Sequence, residues 1–469
     1  MSSADAPFPG LEAELGTAIL REALHNGGDS AELYVEERRS LALRLEDGKI
    51  EDALSGVDRG GSVRLIRGLS TAFGYVDAID EGSLLSVAAE LSCSQTGSPG
   101  KAATFALVHS GFAGAESADP GAVDVAVKAR LLHLADETAR GLSPEVRQVI
   151  ASYSESVQKV WIAGSHGSLA TDSRTRVTIG VMVMAARDGL IQTGRETLAY
   201  QGEAHLPQDE AVVAVAREAA EKALVMLDSK PAPAGRMPVV LANGFGGVLF
   251  HEACGHGLEA DYILKKASVW EGKKGSQVAG AHVFAYDDGV GPGMWGSAGC
   301  DDEGTPCERT VVIEAGILTG YLTDRLRGGH LGLPLTGNGR RQDYRHLPYP
   351  RMTNTYFGPG PATAEEIIAD TPRALYAKSL SGGQVNPVTG EFVFGVAEGY
   401  LIENGRVGGP VRGATLVGNG PEVLQGIDAI ADDLDVKAGM CGKEGQSVPV
   451  GTGQPTIRIR ELTVGGTNL

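Results

Sequence analysis

The chain has 469 residues, of which 42% are hydrophobic, and this predicts a compact globular protein of about two or three packed domains. Its 59 acidic against 41 basic residues give a formal charge of −18, which opposes attraction to phosphate backbones or anionic lipid, so we expect neither nucleic acid nor a membrane as a partner. The first ten residues lack the basic and apolar segments of a signal peptide, and no apolar run approaches the roughly 20 residues that span a bilayer, which favours a cytoplasmic protein.

The chain begins with a helical pattern and continues with strands. Apolar residues four apart predict an amphipathic helix over 10–27, which ends at a Gly-Gly pair. Alternating hydrophobicity then predicts antiparallel strands in AELYVEERRSLALRLEDGKIEDA, turning at Asp47-Gly48, and in SVRLIRGLSTAFGYV, turning around a glycine.

Helices and strands then alternate as far as residue 227. Helices are predicted near 82–92 and over 120–141, the second beginning after Pro120. A β-meander over 147–203 turns at Asp188-Gly189, and a helix over 208–227 completes this half of the chain.

A proline-rich stretch, LDSKPAPAGRMP, has little to bury, so we place a domain boundary there. Beyond it the chain is dense in glycine and proline, with short strands hinged at glycine turns, as in RTVVIEAGILTGYLTD and EFVFGVAEGYLIENGRV. We therefore predict an α+β protein of two domains. The first is an N-terminal α/β domain over 1–228; the second, over 237–469, is β-rich, with a mixed or antiparallel, barrel-like sheet system.

The stretch GGVLFHEACGHGLEAD resembles the helix of a zinc protease with one residue too many, because its second histidine arrives at i+5 rather than i+4. Five residues advance an α-helix by about 500°, which leaves His256 about 140° round from His251. A π-bulge would return both rings to one face, and the flanking Gly255 and Gly257 accept backbone angles that other residues resist. Alternatively, the helix ends at Gly255 and His256 reaches back from the following turn.

Two imidazoles are too few for a tight zinc site, which takes three protein ligands and leaves the fourth position to water when it is catalytic. Spacing leaves the third ligand open among the carboxylates of CDDEGTPC and four cysteines: Cys254, Cys300, Cys307 and Cys441. The alternative for each cysteine is a small buried apolar residue with a reduced thiol. Glu252 lies about 100° from His251 on a helix, which suits a general base better than a ligand.

Five blocks in order carry a family resemblance: FHEACGHGLEAD, DDEGTP, TGNGRRQDYR, PRMTNTYF and CGKEGQSVPVGTGQPTIRIRELTVGG. Together they resemble the TldD/PmbA family of metallopeptidases, and within it the TldD-like branch that carries the histidine motif. The resemblance extends over nearly the whole chain, and it implies an N-terminal α/β domain and a C-terminal β-rich domain that holds the metal.

The resemblance also implies a site. It places one zinc ion per chain on His251, His256 and Cys441, with Glu252 as the general base. A sister branch lacks the motif, so this chain would be the catalytic subunit of a heterodimer with a TldE/PmbA-like paralogue, or a homodimer as in archaeal relatives. Cys254 has no role in the family pattern, and we expect it to pack against the sheet rather than to compete for the metal.

These features predict a zinc peptidase in which Glu252 moves the proton of a metal-activated water. Basic residues that follow DDEGTP are candidate donors to substrate and transition state: Arg340, Arg341, Arg345, His346 and Arg351. The alternative is that these arginines pair with Asp and Glu to fix loops. CDDEGTPC is interpreted first as a turn, with a substrate loop or a second carboxylate site as alternatives.

Short strands flanked by glycine predict that an extended, unstructured peptide binds by adding to a sheet edge, and the family resemblance adds precursors of modified peptides as substrates. Two other functions remain open. One is hydrolysis of a non-peptide amide in a small metabolite, which a narrow cleft lined by aromatic residues would favour. The other is a protein-binding or regulatory module, as an older description of the family as a modulator of DNA gyrase implies.

Overall fold

The computed structural model describes Phe8 and residues 11–93, 108–111, 119–202 and 206–466. The first half of the chain forms one seven-stranded sheet covered by helices. The helices are α1 Ala13–Ala23, α2 Glu81–Cys93, α3 Val125–Gly141 and α4 Asp209–Leu227. The strands are β1 Ser30–Glu46, β2 Lys49–Arg67, β3 Ser70–Val76, β4 Val108–Gly111, β5 Val146–Gly164, β6 Ser168–Arg187 and β7 Leu190–Gln201.

The strand order is β3-β2-β1-β5-β6-β4, with β7 also paired to β6, and the paired strands are antiparallel except for β4 and β6. The three predicted hairpin turns are confirmed, and the one between β2 and β3 contains Gly68 with a φ of 58°. Asp47-Gly48 and Asp188-Gly189 all have positive φ, between 48° and 83°. This backbone matches the right-handed twist of the flanking strands, and it explains the Asp-Gly pairs. Helices α1, α2 and α4 and the β-meander also lie where the sequence predicts them.

The predicted start of the third helix after Pro120 was wrong. Pro120–Ala122 forms a separate 3-10 turn, and α3 begins at Val125. The side chain of Asp124 accepts a hydrogen bond from the backbone N–H of Ala126 and caps the helix. A carboxylate cap satisfies an N–H that would otherwise lack a partner, so it fixes the helix start more strongly than a proline upstream.

The two faces of this sheet differ in chemistry, because successive residues of a strand point to opposite sides. Most odd-numbered residues of β1, such as Leu33 and Leu43, are apolar, and Glu37 and Arg39 are the exceptions. Helices α1 and α2 cover one end of this face, and α3 and α4 cover the other. The even-numbered face carries buried charged residues that pack against the second half of the chain: Glu32, Arg64, Asp172, Arg174 and Arg176.

The second half of the chain contains many short strands and a few short helices. The helices are α5 Val248–Phe250, α6 Ala260–Leu264, α7 Arg325–Leu331, α8 Ala364–Ala369 and α9 Gly420–Gly426. The strands begin with β8 Lys230–Pro231, β9 Gly235–Leu241, β10 Ala285–Asp288, β11 Arg309–Glu314, β12 Ile317–Leu318, β13 Gly339–Arg340, β14 Tyr349–Pro350 and β15 Asn354–Phe357. They continue with β16 Arg373–Val385, β17 Glu391–Glu403, β18 Arg406–Arg412, β19 Thr415–Asn419, β20 Ile427–Ile430, β21 Asp435–Lys443, β22 Gln446–Gln454 and β23 Ile457–Gly465.

Part of this half closes into a barrel. Five strands follow one another in the order β16-β9-β23-β19-β17, and β17 pairs back with β16. A second sheet has the order β12-β11-β10-β15-β22-β21, and β21 forms its edge. The α+β class and the barrel-containing second half are thus confirmed, while the domain limits 1–228 and 237–469 stay a prediction. Within the described ranges, none of the helices has the length and apolar composition needed to cross a bilayer.

Candidate metal centre

The histidine motif passes through three kinds of helix. α5 leads into a π-helical turn over His251–Gly255, and a 3-10 turn over His256–Leu258 follows. The wider π turn absorbs the extra residue and returns the two histidines to one side. Their ring centroids lie 5.1 Å apart. Gly255 and His256 keep right-handed helical angles, with φ of −55° and −59°, so the predicted π-bulge is confirmed and the helical path does not end at Gly255.

Gly255 and Gly257 serve packing rather than backbone freedom. The φ and ψ of Gly255, −55° and −52°, are angles that any residue adopts. A Cβ at this position would lie 2.2 Å from Sδ of Met352, which is fully buried, and a Cβ at Gly257 would lie 2.6 Å from Cδ1 of Trp270. The expectation that these glycines relax the backbone was therefore wrong for Gly255. They allow buried side chains to approach the turn.

Cys441 on β21 brings a third donor to the two histidines. All three side chains are buried, and their ligand atoms lie within 4.8 Å of one another. Sγ of Cys441 is 3.4 Å from Nε2 of His256. Two donors bound to one tetrahedral zinc ion at about 2.1 and 2.3 Å would lie roughly 3.6 Å apart, so the observed donor set fits one metal ion. Cys254 lies instead in the apolar core, as predicted, where burial raises the pKa of its thiol.

The second ring nitrogen of each histidine has its own partner. Nδ1 of His251 lies 3.1 Å from Oγ1 of Thr355 on β15, and Nδ1 of His256 lies 3.0 Å from Oε2 of Glu259. Nζ of Lys443 donates to the same Glu259 oxygen at 2.8 Å. Partners of this kind fix the orientation of a ligand ring and leave its other nitrogen for the metal.

Opposite charges around the site stabilise the ionised forms of its acids. Burial would raise the pKa of the Cys441 thiol, but the neighbouring His251 and His256 hold it well below its usual value. Burial likewise opposes ionisation of Glu259, yet Lys443 and His256 lower its pKa to about 2. The thiolate is the form of cysteine that binds a metal, and the histidines bind it in their neutral form, so metal binding would release the protons that the imidazoles hold.

Glu252 lies beside the ligand group rather than within it. Its side chain keeps 24% of its surface exposed, whereas the side chain of His256 is 9% exposed. Oε2 of Glu252 lies 3.8 Å from Nε2 of His256, which is beyond a hydrogen bond. The carboxylate therefore stands at the open side of the site, where water can reach it.

The first two predicted substrate-binding residues are buried between the halves of the chain. Arg340 donates to the main-chain oxygens of Met352 and, at 2.7 Å, Pro449. Arg341 pairs with Glu32 from the even-numbered face of the first sheet. Both arginines hold loops in place, and both are among the residues that line a cavity between the two halves of the chain.

The other predicted donors lie elsewhere. Arg345 pairs with Asp58 at 2.7 Å, and Nδ1 of His346 lies 2.7 Å from the carboxylate of Asp343. Neither of them lines the cavity. Arg351 is completely buried and donates to the main-chain oxygen of the metal-ligand candidate on β21 at 2.6 Å. A role in substrate binding stays a prediction for Arg340, Arg341, Arg345 and His346.

The segment CDDEGTPC forms a buried turn that joins the two halves. The carboxylate of Asp301 accepts hydrogen bonds from the backbone N–H groups of Glu303, Thr305 and, at 2.9 Å, Gly339. The carboxylate of Asp302 pairs with an arginine of β6 at 2.7 Å. The interpretation of this segment as a turn is confirmed, and its acids organise loops rather than join the metal ligands.

Sequence reasoning missed Glu259, Lys443 and Thr355. Lys443 follows Cys441 by two residues in β21, and residues two apart in a strand point to the same face. Once Cys441 is a candidate ligand, this alternation places the side chain of Lys443 on the side of the metal centre. Glu259 lies three residues after His256, a spacing that brings side chains together on a helical turn. Thr355 comes from a distant strand, and no local pattern marks it.

Three family models match the chain. They are described as domain 1, the central domain and the C-terminal domain of the PmbA/TldA metallopeptidases, and they match residues 31–92, 118–227 and 234–466. Together they leave only short gaps between 31 and 466.

Curated relatives are similar over almost their full length. A metalloprotease TldD homolog from Haemophilus influenzae is 42% identical, covering 95% of this chain and 94% of the relative. A metalloprotease from Methanothermobacter thermautotrophicus is 33% identical, covering 93% and 95%. Among solved structures, TldE from Thermococcus kodakarensis has a TM-score of 0.77 at 19% identity, covering 97% and 99%. A candidate modulator of a DNA gyrase from Thermotoga maritima has a TM-score of 0.78 at 22% identity, covering 93% and 96%. At these identities the solved structures establish a shared fold.

Proposed function

Since the chain belongs to the TldD/PmbA family and is a metallopeptidase, we propose that it is a zinc-dependent peptidase. In this proposal it hydrolyses amide bonds in unstructured peptides or in precursors of modified peptides, with Glu252 as the general base.

The observation that carries the proposal is the convergence of His251, His256 and Cys441, with ligand atoms within 4.8 Å, beside a partly exposed Glu252. A buried set of two imidazoles and one thiolate suits zinc, because borderline and soft donors favour it over magnesium or calcium. Three protein ligands leave one position open, which is the pattern of catalytic rather than structural zinc sites.

The roles of the side chains follow from their positions. A divalent metal held by the three ligands supplies Lewis acidity at the reacting carbonyl. Glu252 accepts a proton from the attacking water and returns it to the leaving amine. Glu259 and Thr355 hold the histidine rings in place, and Lys443 neutralises Glu259.

The edge strand β21 is the proposed place for the peptide. Among the described strands β21 pairs with β22 alone, so its other edge is free to pair with an extended peptide next to Cys441. Main-chain pairing tolerates many sequences but requires an unfolded substrate.

Hydrolysis of a non-peptide amide, the alternative function, would be favoured by a narrow cleft lined by aromatic residues. The cavity between the halves is lined by arginine, serine and glutamine side chains, with Trp295 as its aromatic residue.

We also propose that the active assembly is a dimer, either with a TldE/PmbA-like paralogue or with a second copy. The shared fold with TldE from Thermococcus kodakarensis supports a paralogue of matching shape. Co-expression with a paralogue, followed by mass measurement in solution, distinguishes a heterodimer from a homodimer.

The experiment that tests the proposal is cleavage of an unstructured peptide, followed by mass spectrometry. Wild type with one equivalent of zinc is expected to release fragments, and Glu252→Gln is expected to retain the zinc but to lose cleavage by at least about 100-fold. Glu403→Gln, an exposed change of the same kind at the end of β17, is the control and should cleave normally. Cleavage by Glu252→Gln at the wild-type rate would overturn the assignment of the base.

A further inference from the structure

A cavity of about 220 Å³ lies between the even-numbered face of the first sheet and the second half of the chain. Arg38 on β1 and Arg174 and Arg176 on β6 line it from the sheet. Arg340 and Arg341 line it from the other side. Five arginines therefore surround one small space in a chain whose formal charge is −18.

Three of these arginines are neutralised by carboxylates. Arg38 pairs with Glu36 at 2.8 Å, and Arg174 pairs with Asp302 at 2.7 Å. Arg341 pairs with Glu32. The Arg174 and Arg341 pairs join the two halves of the chain, whereas Arg38 and Glu36 both belong to β1.

The remaining two arginines have no carboxylate within ion-pairing distance among the described residues, although Asp302, which also lines the cavity, attracts Arg340 from farther away. Nε of Arg176 donates to the main-chain oxygen of Trp295 at 3.0 Å, and Arg176 is one of the residues that line the cavity. Arg340 donates to the main-chain oxygens of Met352 and Pro449. Arg176 is 8% exposed and Arg340 7% exposed. A buried cation without a counter-charge is costly, so this arrangement is stabilised when an anion enters.

The electrostatics of Arg176 agree with this geometry. Burial is the largest cause that lowers the pKa of its guanidinium, the neighbouring Arg174 and Arg340 act in the same direction, and together they bring it to about 9. A bound anion would reverse each of these effects, because it replaces lost solvation and opposes the repulsion between arginines.

We propose that this cavity is an anion subsite, and that its ligand is a carboxylate of the peptide substrate. The inference deepens the proposed peptidase function and rests on it. The planar guanidinium of arginine matches the two oxygens of a carboxylate, so a paired site of this kind selects acidic over neutral peptides. The carboxylate comes either from an Asp or Glu side chain or from the peptide C-terminus.

The cavity is placed within reach of a peptide on β21. Met440 and its cross-strand partner Pro449 line the cavity. Cys441 and its partner Val448 belong to the opposite face of the same hairpin, which is the face of the metal ligands. A peptide that pairs with β21 alternates its side chains between these two faces. Residues adjacent to the one at the metal therefore point toward the arginines.

The test measures binding of three labelled, unstructured peptides to zinc-loaded Glu252→Gln, which is expected to bind without cleaving. The first has one internal Glu and an amidated C-terminus, the second has Gln and a free C-terminus, and the third has Gln and an amidated C-terminus. At least one of the first two is expected to bind about 10-fold more tightly than the third. Tighter binding of the first assigns the subsite to a side chain, and tighter binding of the second assigns it to the C-terminus.

Adding Arg176→Gln is expected to remove the preference and leave binding of the neutral peptide unchanged. Arg195→Gln is the matched control, because Arg195 is an exposed arginine on β7 outside the cavity lining. Equal binding of all three peptides overturns the inference. So does an Arg176→Gln variant that weakens neutral and acidic peptides alike, since that result indicates a structural role.

A second measurement separates this inference from the proposed function. N-acetyl-glutamate, compared with N-acetyl-glutamine, is added to wild type and to Arg176→Gln, and the unfolding temperature is recorded. A shift with the acid in wild type alone supports the anion site even if no peptide is bound or cleaved. If the acid causes no such shift and the three peptides bind equally, the anion site is wrong. Cleavage of the neutral peptide by wild type would still support the proposed peptidase.

Discussion

Oε2 of Glu259 lies 3.0 Å from Nδ1 of His256, and the same oxygen accepts a hydrogen bond from Lys443 at 2.8 Å. The carboxylate therefore fixes which nitrogen of the imidazole is left for the metal. It also carries a negative charge next to the ligand, which makes the ring a stronger donor.

Replacing Glu259 should weaken metal binding without touching a ligand. Glu259→Gln retains the shape of the side chain but removes the charge, so zinc affinity is expected to fall by about 10 to 100-fold. Competition with a chromophoric chelator measures the change. Glu308→Gln, at an exposed position, should bind zinc as wild type does. An unchanged affinity in Glu259→Gln would contradict the role given to this carboxylate.

The packing of the π turn predicts the effect of one added methyl group. Gly255→Ala would place a Cβ 2.2 Å from Sδ of Met352, and overpacking of this kind costs about 1 to 3 kcal/mol in the free energy of unfolding. Urea unfolding measures it. Gly329→Ala in α7 is the control, because a Cβ there has no neighbour within 4 Å. Equal stability of the two variants would contradict this prediction, because it would show that the π turn accommodates a methyl group at position 255.

The interface between the halves depends on buried ion pairs. Asp302→Asn leaves Arg174 without one of its carboxylate partners in a buried site, and breaking such a pair costs about 3 to 5 kcal/mol. Glu461→Gln removes one partner of the exposed Arg236 pair and should change stability little. Both are compared by urea unfolding at neutral pH. If Asp302→Asn lowers the free energy of unfolding by no more than Glu461→Gln does, the buried ion pairs do not stabilise the interface.

Asp343 predicts a dependence of stability on pH. Burial would raise the pKa of its carboxyl, but hydrogen bonds from the backbone N–H of Arg345 and from His346 hold it below the usual value. A depressed pKa in the folded state gives stabilisation that is present above about pH 4 and lost as the pH falls through the folded value. Asp343→Asn is therefore expected to be less stable than wild type at pH 7 by about 1 to 3 kcal/mol. The difference should shrink below pH 4, and a constant difference would contradict the assignment.

Much of the fold follows from local patterns in the sequence. Asp47-Gly48 and Asp188-Gly189 mark their hairpins because positive φ at consecutive residues favours these pairs. The helices with apolar periodicity were also found. The start of α3 was misplaced, since Pro120 is a stronger sequence signal than the Asp124 cap that determines it. The closed barrel depends on pairing between strands far apart in the chain, such as β9 with β16, which no local pattern specifies.

In the candidate site, too, some features follow from local spacing and others depend on residues far apart in the chain. The spacing of His251 and His256 required a helix wider than α, and a π turn is present. Cys441 was assigned through the family resemblance, because 185 residues separate it from His256 and spacing alone left several cysteines open. The sequence block around Arg340 predicts a donor to substrate, whereas its main-chain acceptors, Met352 and Pro449, come from segments that no local pattern relates to it.

Metal content of Cys441→Ala is the most direct test of the central claim. Wild type, loaded with zinc and desalted, is expected to hold about one zinc per chain, and Cys441→Ala is expected to lose it, because two imidazoles alone do not make a tight site. Cys254→Ala, a buried cysteine outside the ligand group, is the control and should retain zinc. If Cys441→Ala holds as much zinc as wild type, or if wild type holds none, the three-residue metal centre is wrong.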